Sequence, residues 1–256
     1  MKNRVAFITG SSSGIGLGIA RHFAKSQTDV ILHGIEKDFG LASALKKEFG
    51  VQAEYIQTDL QNREQTLSAL TAATKKIGSV DILVNNAGIQ FVSPVEEFPI
   101  EKWQAILDIN LSSVFYLSQA VWGPMKAKGY GRIINISSVH GIRASEFKSA
   151  YVAAKHGVCG LTKVLGLEAA NTGITANAIC PGYVQTPLVD KQIADQAKAH
   201  GLSEAEVIEK VLLKKQPVKK FISIEAIAEL SLFLCQPYSD AITGSAFILD
   251  GGWSSQ

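Results

Sequence analysis

The chain has 256 residues, 46% of them apolar and 19% charged, with a formal net charge of +2. That length fits one large α/β domain or two small ones. The near-neutral balance gives no reason to expect nucleic acid or an anionic membrane surface as a partner, and no run approaches the roughly 18–20 apolar residues that span a bilayer. The opening MKNRVAFITG has a basic start, but its apolar run stops at Thr9-Gly10, too short for a signal peptide. Cys159, Cys180 and Cys235 are odd in number and far apart in sequence, with neither metal-ligand spacing nor a disulfide framework. A reducing cytoplasm is the compartment expected for such a chain.

Short apolar runs alternate with longer amphipathic segments. RVAFIT (Arg4–Thr9) reads as a first strand, followed by a helix over Gly14–Lys25 in which Ile15, Ile19 and Phe23 recur at helical spacing. DVILHG, AEYIQTD and VDILVNN read as strands two to four. GRIINISS and GITANAICPG follow as five and six, and GSAFILDGG near the end as the seventh. A long helix is expected over Ile100–Lys128. Val/Ile/Leu-rich strands separated by helices predict one domain over residues 1–256, a doubly wound α/β fold of Rossmann type with a seven-stranded parallel sheet. The stretch Tyr183–Pro217 interrupts this rhythm with Pro187 and a charged helical segment near Ser203–Lys215, and it is expected to form a helical lid over the substrate.

TGSSSGIG (Thr9–Gly16) joins the first strand to the first helix. Gly10 permits a tight turn, Gly14 lets the chain reverse and Gly16 permits close approach. Backbone N–H groups at such a helix start face a phosphate. Later, Tyr151 and Lys155 stand four apart and share one helix face. A phenol of pKa ≈ 10 must drop by about three units, or roughly 4 kcal/mol, to act as a base near neutrality. One ammonium about 4 Å away supplies about that much at an effective dielectric near 20. By itself, this spacing more often marks a Tyr/Lys pair packed at a helix surface.

The ordered set Thr9-Gly10-x-x-x-Gly14-x-Gly16, Asn85-Asn86-Ala87-Gly88, Tyr151-x-x-x-Lys155 and Pro181–Pro187 resembles the short-chain dehydrogenase/reductase family along essentially the whole chain. The resemblance implies a nicotinamide cofactor. Gly10, Ser12, Gly14, Ile15 and Gly16 would hold its phosphates. Ile35, Asp59, Leu60 and Asn86 would lie on the adenosine side, and Val184 and Thr186 would hold the carboxamide. It further implies Ser138, Tyr151, Lys155 and Asn110 as the catalytic set: Ser138 orients the substrate oxygen, Lys155 bonds the ribose, and Asn110 holds a water that relays protons. A homotetramer and no metal are also implied. At the end of the second strand, His33-Gly34-Ile35-Glu36 lacks the usual acid at Gly34, yet has no Arg at Ile35, and Glu36 would repel a 2′-phosphate. NAD is the cofactor expected, although His33 or Lys37 also has the chemistry to meet a phosphate.

For the substrate, Gln90, His140, Lys148 and Gln192 offer a cation, an imidazole and two amides, an inventory suited to a small carboxylate. With SSVHG, FKSAYVAAKHG and LDGGW, they are similar to the family's bacterial D-3-hydroxybutyrate dehydrogenase branch, apart from Tyr183, where Trp is expected. That likeness implies oxidation of (R)-3-hydroxybutyrate to acetoacetate. A 3-oxoacyl-[acyl carrier protein] reductase, a dehydrogenase of another small hydroxy acid and a nucleotide-sensing protein remain as alternatives. Trp253 fits a core, a subunit interface or a neighbouring subunit's active site.

Overall fold

The computed structural model describes residues 2–186, 189, 190, 193, 197 and 201–255. Strands form where the apolar runs fall: β1 (Val5–Ile8), β2 (Asp29–Gly34), β3 (Ala53–Gln57), β4 (Ile82–Asn85), β5 (Gly131–Ile136), β6 (Ile174–Pro181) and β7 (Ala246–Leu249). The main helices are α1 (Gly14–Lys25), α2 (Leu41–Phe49), α3 (Arg63–Ile77), α4 (Ile100–Leu107), α5 (Ser113–Lys128), α6 (Ser149–Glu168) and α7 (Ile224–Leu234). All strand pairs are parallel, in the order β3-β2-β1-β4-β5-β6-β7.

The period of two along a strand sorts its side chains between two helical layers. Ala6, Ile8, Val30, Leu32, Ile82 and Val84 pack with Ile19 and Phe23 of α1 and Ile227 of α7. Their neighbours Val5, Phe7, Ile31 and Leu83 pack on the other face with Leu70 of α3, Leu117 and Met125 of α5 and Leu165 of α6. With both faces covered, a half-polar strand would bury unpaired groups, which explains the unbroken apolar runs.

The lower edge of the sheet is held by Asp81. Its carboxylate accepts the Val5 N–H at 2.9 Å and pairs with Lys128 at 2.9 Å and Arg4 at 3.3 Å. Arg4 in turn lies 3.6 Å over the Tyr130 ring. Both cations are partly exposed, so losing the carboxylate mainly strands the Val5 N–H. Asp81→Ala is therefore expected to lower the unfolding free energy by about 1–3 kcal/mol, read as a lower urea midpoint at unchanged slope.

Three sequence expectations need correction. β3 ends at Gln57 and β5 at Ile136, so Asp59-Leu60 and Ser138 stand in the loops beyond those strands. The helix expected over Ile100–Lys128 is broken by a π turn at Asp108–Ser112 between α4 and α5. Asn110 causes this locally: its side chain accepts from Ile89 N and donates to Ile89 O, both at 2.9 Å. π turns inside helices recur at functional sites.

The strand order reverses between β1 and β4, which opens a crevice beyond their C-terminal ends. The insertion is helical only in part, and at its start Val184 forms an isolated parallel bridge with Ile222. Ser203 and Glu206 form a reciprocal cap on a turn at Glu204–Val207, and a π turn follows at Ile208–Leu212. Pro187 and Gln192 lie outside the described residues. Among those described, no helix is long and apolar enough to cross a membrane, and no cluster of His, Cys, Asp or Glu could hold a metal.

Candidate active site

Two cavities meet in the crevice and share Ile15, Asn86, Gly88 and Thr186 as walls. One runs from the glycine-rich turn past the end of β2 to Asp59 and Leu60. The other holds Gln90, Ser138, His140, Lys148, Tyr151 and Lys155. The structure thus gathers residues that the sequence spreads over more than a hundred positions. Gly16 and Asn110 support these walls from behind.

The turn after β1 is built for a close ligand. Gly10 and Gly14 take φ of +60° and +54°, where a side chain is strained. A Cβ on Gly16 would collide with the Gly10 carbonyl and with Asn86 Nδ2, so its close approach is first to the chain itself. Asn86 Nδ2 donates to Thr9 O at 2.9 Å and Gly10 O at 3.0 Å, tying the two halves of the sheet together under the turn. Ser13 caps α1 without a side-chain hydrogen bond, and the first turn holds no acid. Its opening N–H groups therefore face the cavity with no capping side chain or carboxylate in competition, as a phosphate cradle requires.

The end of β2 differs from its sequence reading. His33 is buried, its Nδ1 accepts the Gly10 N–H at 3.2 Å, and burial lowers its pKa to about 4. It braces the turn as a neutral ring and is not a cation for a phosphate. Gly34 leaves room for the Tyr55 hydroxyl, which donates to Glu36 O at 3.0 Å. The Glu36 carboxylate then reaches Ser12 Oγ at 3.4 Å. The acid missing from Gly34 in the sequence is therefore supplied two residues later, on the cavity wall.

In the second cavity, Tyr151 and Lys155 stand on one face of α6, with Lys155 Nζ 5.7 Å from the phenol ring centre. Lys155 also donates to Ile136 O at 2.8 Å, and burial lowers its pKa to about 8. Burial raises the Tyr151 phenol, and the Ser138 hydroxyl offsets part of that rise.

Lys148 is the N-cap of α6, one residue before the helix, and is not within its first turn. Its Nζ lies 6.0 Å from the Tyr183 ring centre, and burial, then the nearby Lys215, lower its pKa. Among the described residues no carboxylate pairs with it. Tyr183 stacks on Trp253 at 5.9 Å, and Trp253 meets the His140 ring edge-on at 5.3 Å. Trp253 thus resolves as a pocket wall from the chain's own C-terminal segment. Tyr183 keeps the aromatic wall expected of Trp. Sequence reading also missed Lys215, a second cation 6.0 Å from the Trp253 ring centre, because no local pattern marks it. It separated Cys159 from Cys180, whose sulfurs lie 3.8 Å apart behind Ser137, since the pairing joins α6 to β6 across the fold.

Comparison with known proteins places these features in a lineage. The family model described as short chain dehydrogenase matches residues 4–197. D-beta-hydroxybutyrate dehydrogenase of Rhizobium meliloti (strain 1021) is 47% identical over 99% of both chains. Its namesake from Cupriavidus necator (strain H16) is 43% identical over 100% of both. The solved L-sorbose reductase of Gluconobacter frateurii, complexed with NADPH and L-sorbose, superposes with a TM-score of 0.95 at 31% identity, covering 100% of this chain and 98% of that one. With its parallel sheet, glycine-rich turn and Tyr151–Lys155 pair, the chain belongs to the short-chain dehydrogenase family.

Proposed function

We propose that this oxidoreductase interconverts (R)-3-hydroxybutyrate and acetoacetate with NAD. The observation that carries the substrate is Lys148, a largely buried cation without a described carboxylate partner, in the same cavity as Tyr151 and Ser138. That cavity, about 240 Å³, suits a molecule of a few carbons. Relatives named for this activity support the reading. Lys148, Gln90 and His140, which line the same cavity, hold the carboxylate; Gln192, outside the described residues, is expected to join them.

Gly10, Ser12, Gly14, Ile15 and Gly16 form the phosphate turn. Asp59, Leu60, Ile35 and Asn86 flank the adenosine, and Val184 and Thr186 flank the nicotinamide. Glu36, beside Ser12, favours a free ribose 2′-hydroxyl over a phosphate. Bound NAD supplies the hydride acceptor and a positive ring. Ser138 holds the substrate oxygen, and Tyr151 takes the hydroxyl proton as the adjacent C–H hydride leaves. Lys155 holds positive charge near the phenol and passes the proton outward, while Asn110 fixes the backbone that shapes this exit. Tyr183–Pro217 is the lid. Exposed Phe115, Val164 and Leu167 on α5 and α6 support a homotetramer. Its place is the cytoplasm.

The test is formation of reduced nicotinamide from each enantiomer with NAD and NADP in turn. The R acid with NAD should turn over rapidly, with the S acid inert. No turnover of either enantiomer retires the substrate. A higher kcat/KM with NADP retires the cofactor preference.

A further inference from the structure

Two lysines meet one aromatic stack. Tyr183 and Trp253 lie 5.9 Å apart and 12° from parallel on the wall of the substrate cavity. Lys148 Nζ stands over the Tyr183 ring and Lys215 Nζ over the Trp253 ring, each 6.0 Å from the ring centre. Lys215 is exposed, in the turn that ends the helical part of the insertion, and the next residue pins that turn. Gln216 is fully buried, and its Nε2 donates to Val218 O at 2.9 Å and to Lys220 O. A Cβ on Gly251 would come within 2.7 Å of the Gln216 side chain, so Gly251, at φ +60°, leaves that amide its room. The Val218 N–H then donates to Gly251 O at 3.0 Å. On either side of Trp253, the Gly252 and Ser254 N–H groups donate to the Asp250 carboxylate at 3.0 and 2.7 Å. Buried amide and backbone contacts thus seat Lys215 beside Trp253.

We propose that Lys215 is a specificity-determining residue of the carboxylate pocket: it sets a second positive charge beside that of Lys148, so that the cavity selects an anion over a neutral molecule of the same shape. The inference rests on the carboxylate reading of this cavity and deepens it. Two ammonium groups brought to one aromatic stack repel each other. Lys215 is, after burial, the cause that lowers the Lys148 pKa, and it adds to burial and Lys148 in lowering that of His140, so its field reaches the pocket lining. A carboxylate on Lys148 relieves this repulsion, and a methyl ester in its place leaves it standing. A cleft lined by one sign of charge discriminates in this way through its field. The stem of Lys215 covers ring surface while its head stays wet. An exposed ammonium is screened by salt far more than a buried one, which separates its contribution from that of Lys148.

The experiment is calorimetric titration of butyrate, a carboxylate with no hydroxyl to oxidise, into the full chain saturated with NAD, beside kinetics with (R)-3-hydroxybutyrate and its methyl ester. Lys215→Met keeps an apolar stem against Trp253, Lys215→Glu reverses the charge and Lys215→Arg keeps it. At low salt the butyrate Kd and the KM for the acid should rise about 3–5-fold in Lys215→Met and about 10–25-fold in Lys215→Glu, with Lys215→Arg within about twofold of wild type. At about 1 M salt these ratios should fall toward one. KM for the ester should hardly move in any variant. An unchanged butyrate Kd in Lys215→Glu at low salt overturns the proposal. So does a loss shared equally by acid and ester, which would make Lys215 a support for Trp253 and nothing more. If neither enantiomer turns over while Lys215→Glu still weakens butyrate binding, the substrate reading fails and the role of Lys215 stands.

Discussion

Tyr151→Phe is expected to cut kcat by about 10²–10⁴-fold, the usual worth of a positioned acid–base group, while leaving nucleotide affinity within about threefold. The change removes one oxygen and keeps the ring that packs edge-on against His140 at 5.9 Å. Folding should therefore survive, and a thermal melt close to wild type would confirm it. Burial raises the phenol, so protein groups alone do not make Tyr151 a ready base. Steady-state kinetics beside a nucleotide titration separates the two readouts. Near-normal kcat would remove Tyr151 from the chemistry.

Lys148→Ala should raise KM for the hydroxy acid by about 10–100-fold, the equivalent of a charge-assisted hydrogen bond at about 1.5–3 kcal/mol. KM for the nucleotide should hardly move. The sign of its pH dependence follows from burial. Lys148 attracts a carboxylate only when protonated, and burial together with Lys215 lowers its pKa below the ordinary lysine value. KM for the acid should therefore climb with rising pH sooner than an exposed lysine would dictate. The variant should lose this climb, and the neutral methyl ester should show none in either protein. An unchanged KM for the acid in Lys148→Ala would place the carboxylate elsewhere.

The strands were legible because a sheet covered on both faces demands unbroken apolar runs, and β2 over Asp29–Gly34 agrees residue for residue. The catalytic pair was legible because a helix places Tyr151 and Lys155 on one face. What stayed hidden depends on contacts between distant segments. The π turn arises from Asn110 gripping Ile89 across the crevice, and helical periodicity carries no mark of it. The neutral state of His33 depends on its burial, and its bond to Gly10 joins positions that the sequence does not place side by side. Glu36 could be named as a repellent for phosphate, but its approach to Ser12 requires the space left by Gly34 and bounded by Tyr55. Trp253 becomes a wall only once β7 delivers it next to Tyr183.

The grip of Asn86 on Thr9 and Gly10 closes chain loops of 77 and 76 residues. Loop closure carries an entropic cost that grows with the logarithm of length, and distant pairings slow the search for the native state. The turn after β1 can form early as a local kink, but its geometry is locked only when β4 arrives beside β1. The crevice is therefore a late product of folding: a nascent chain that has completed its first two strands holds the glycine-rich sequence without yet holding a site.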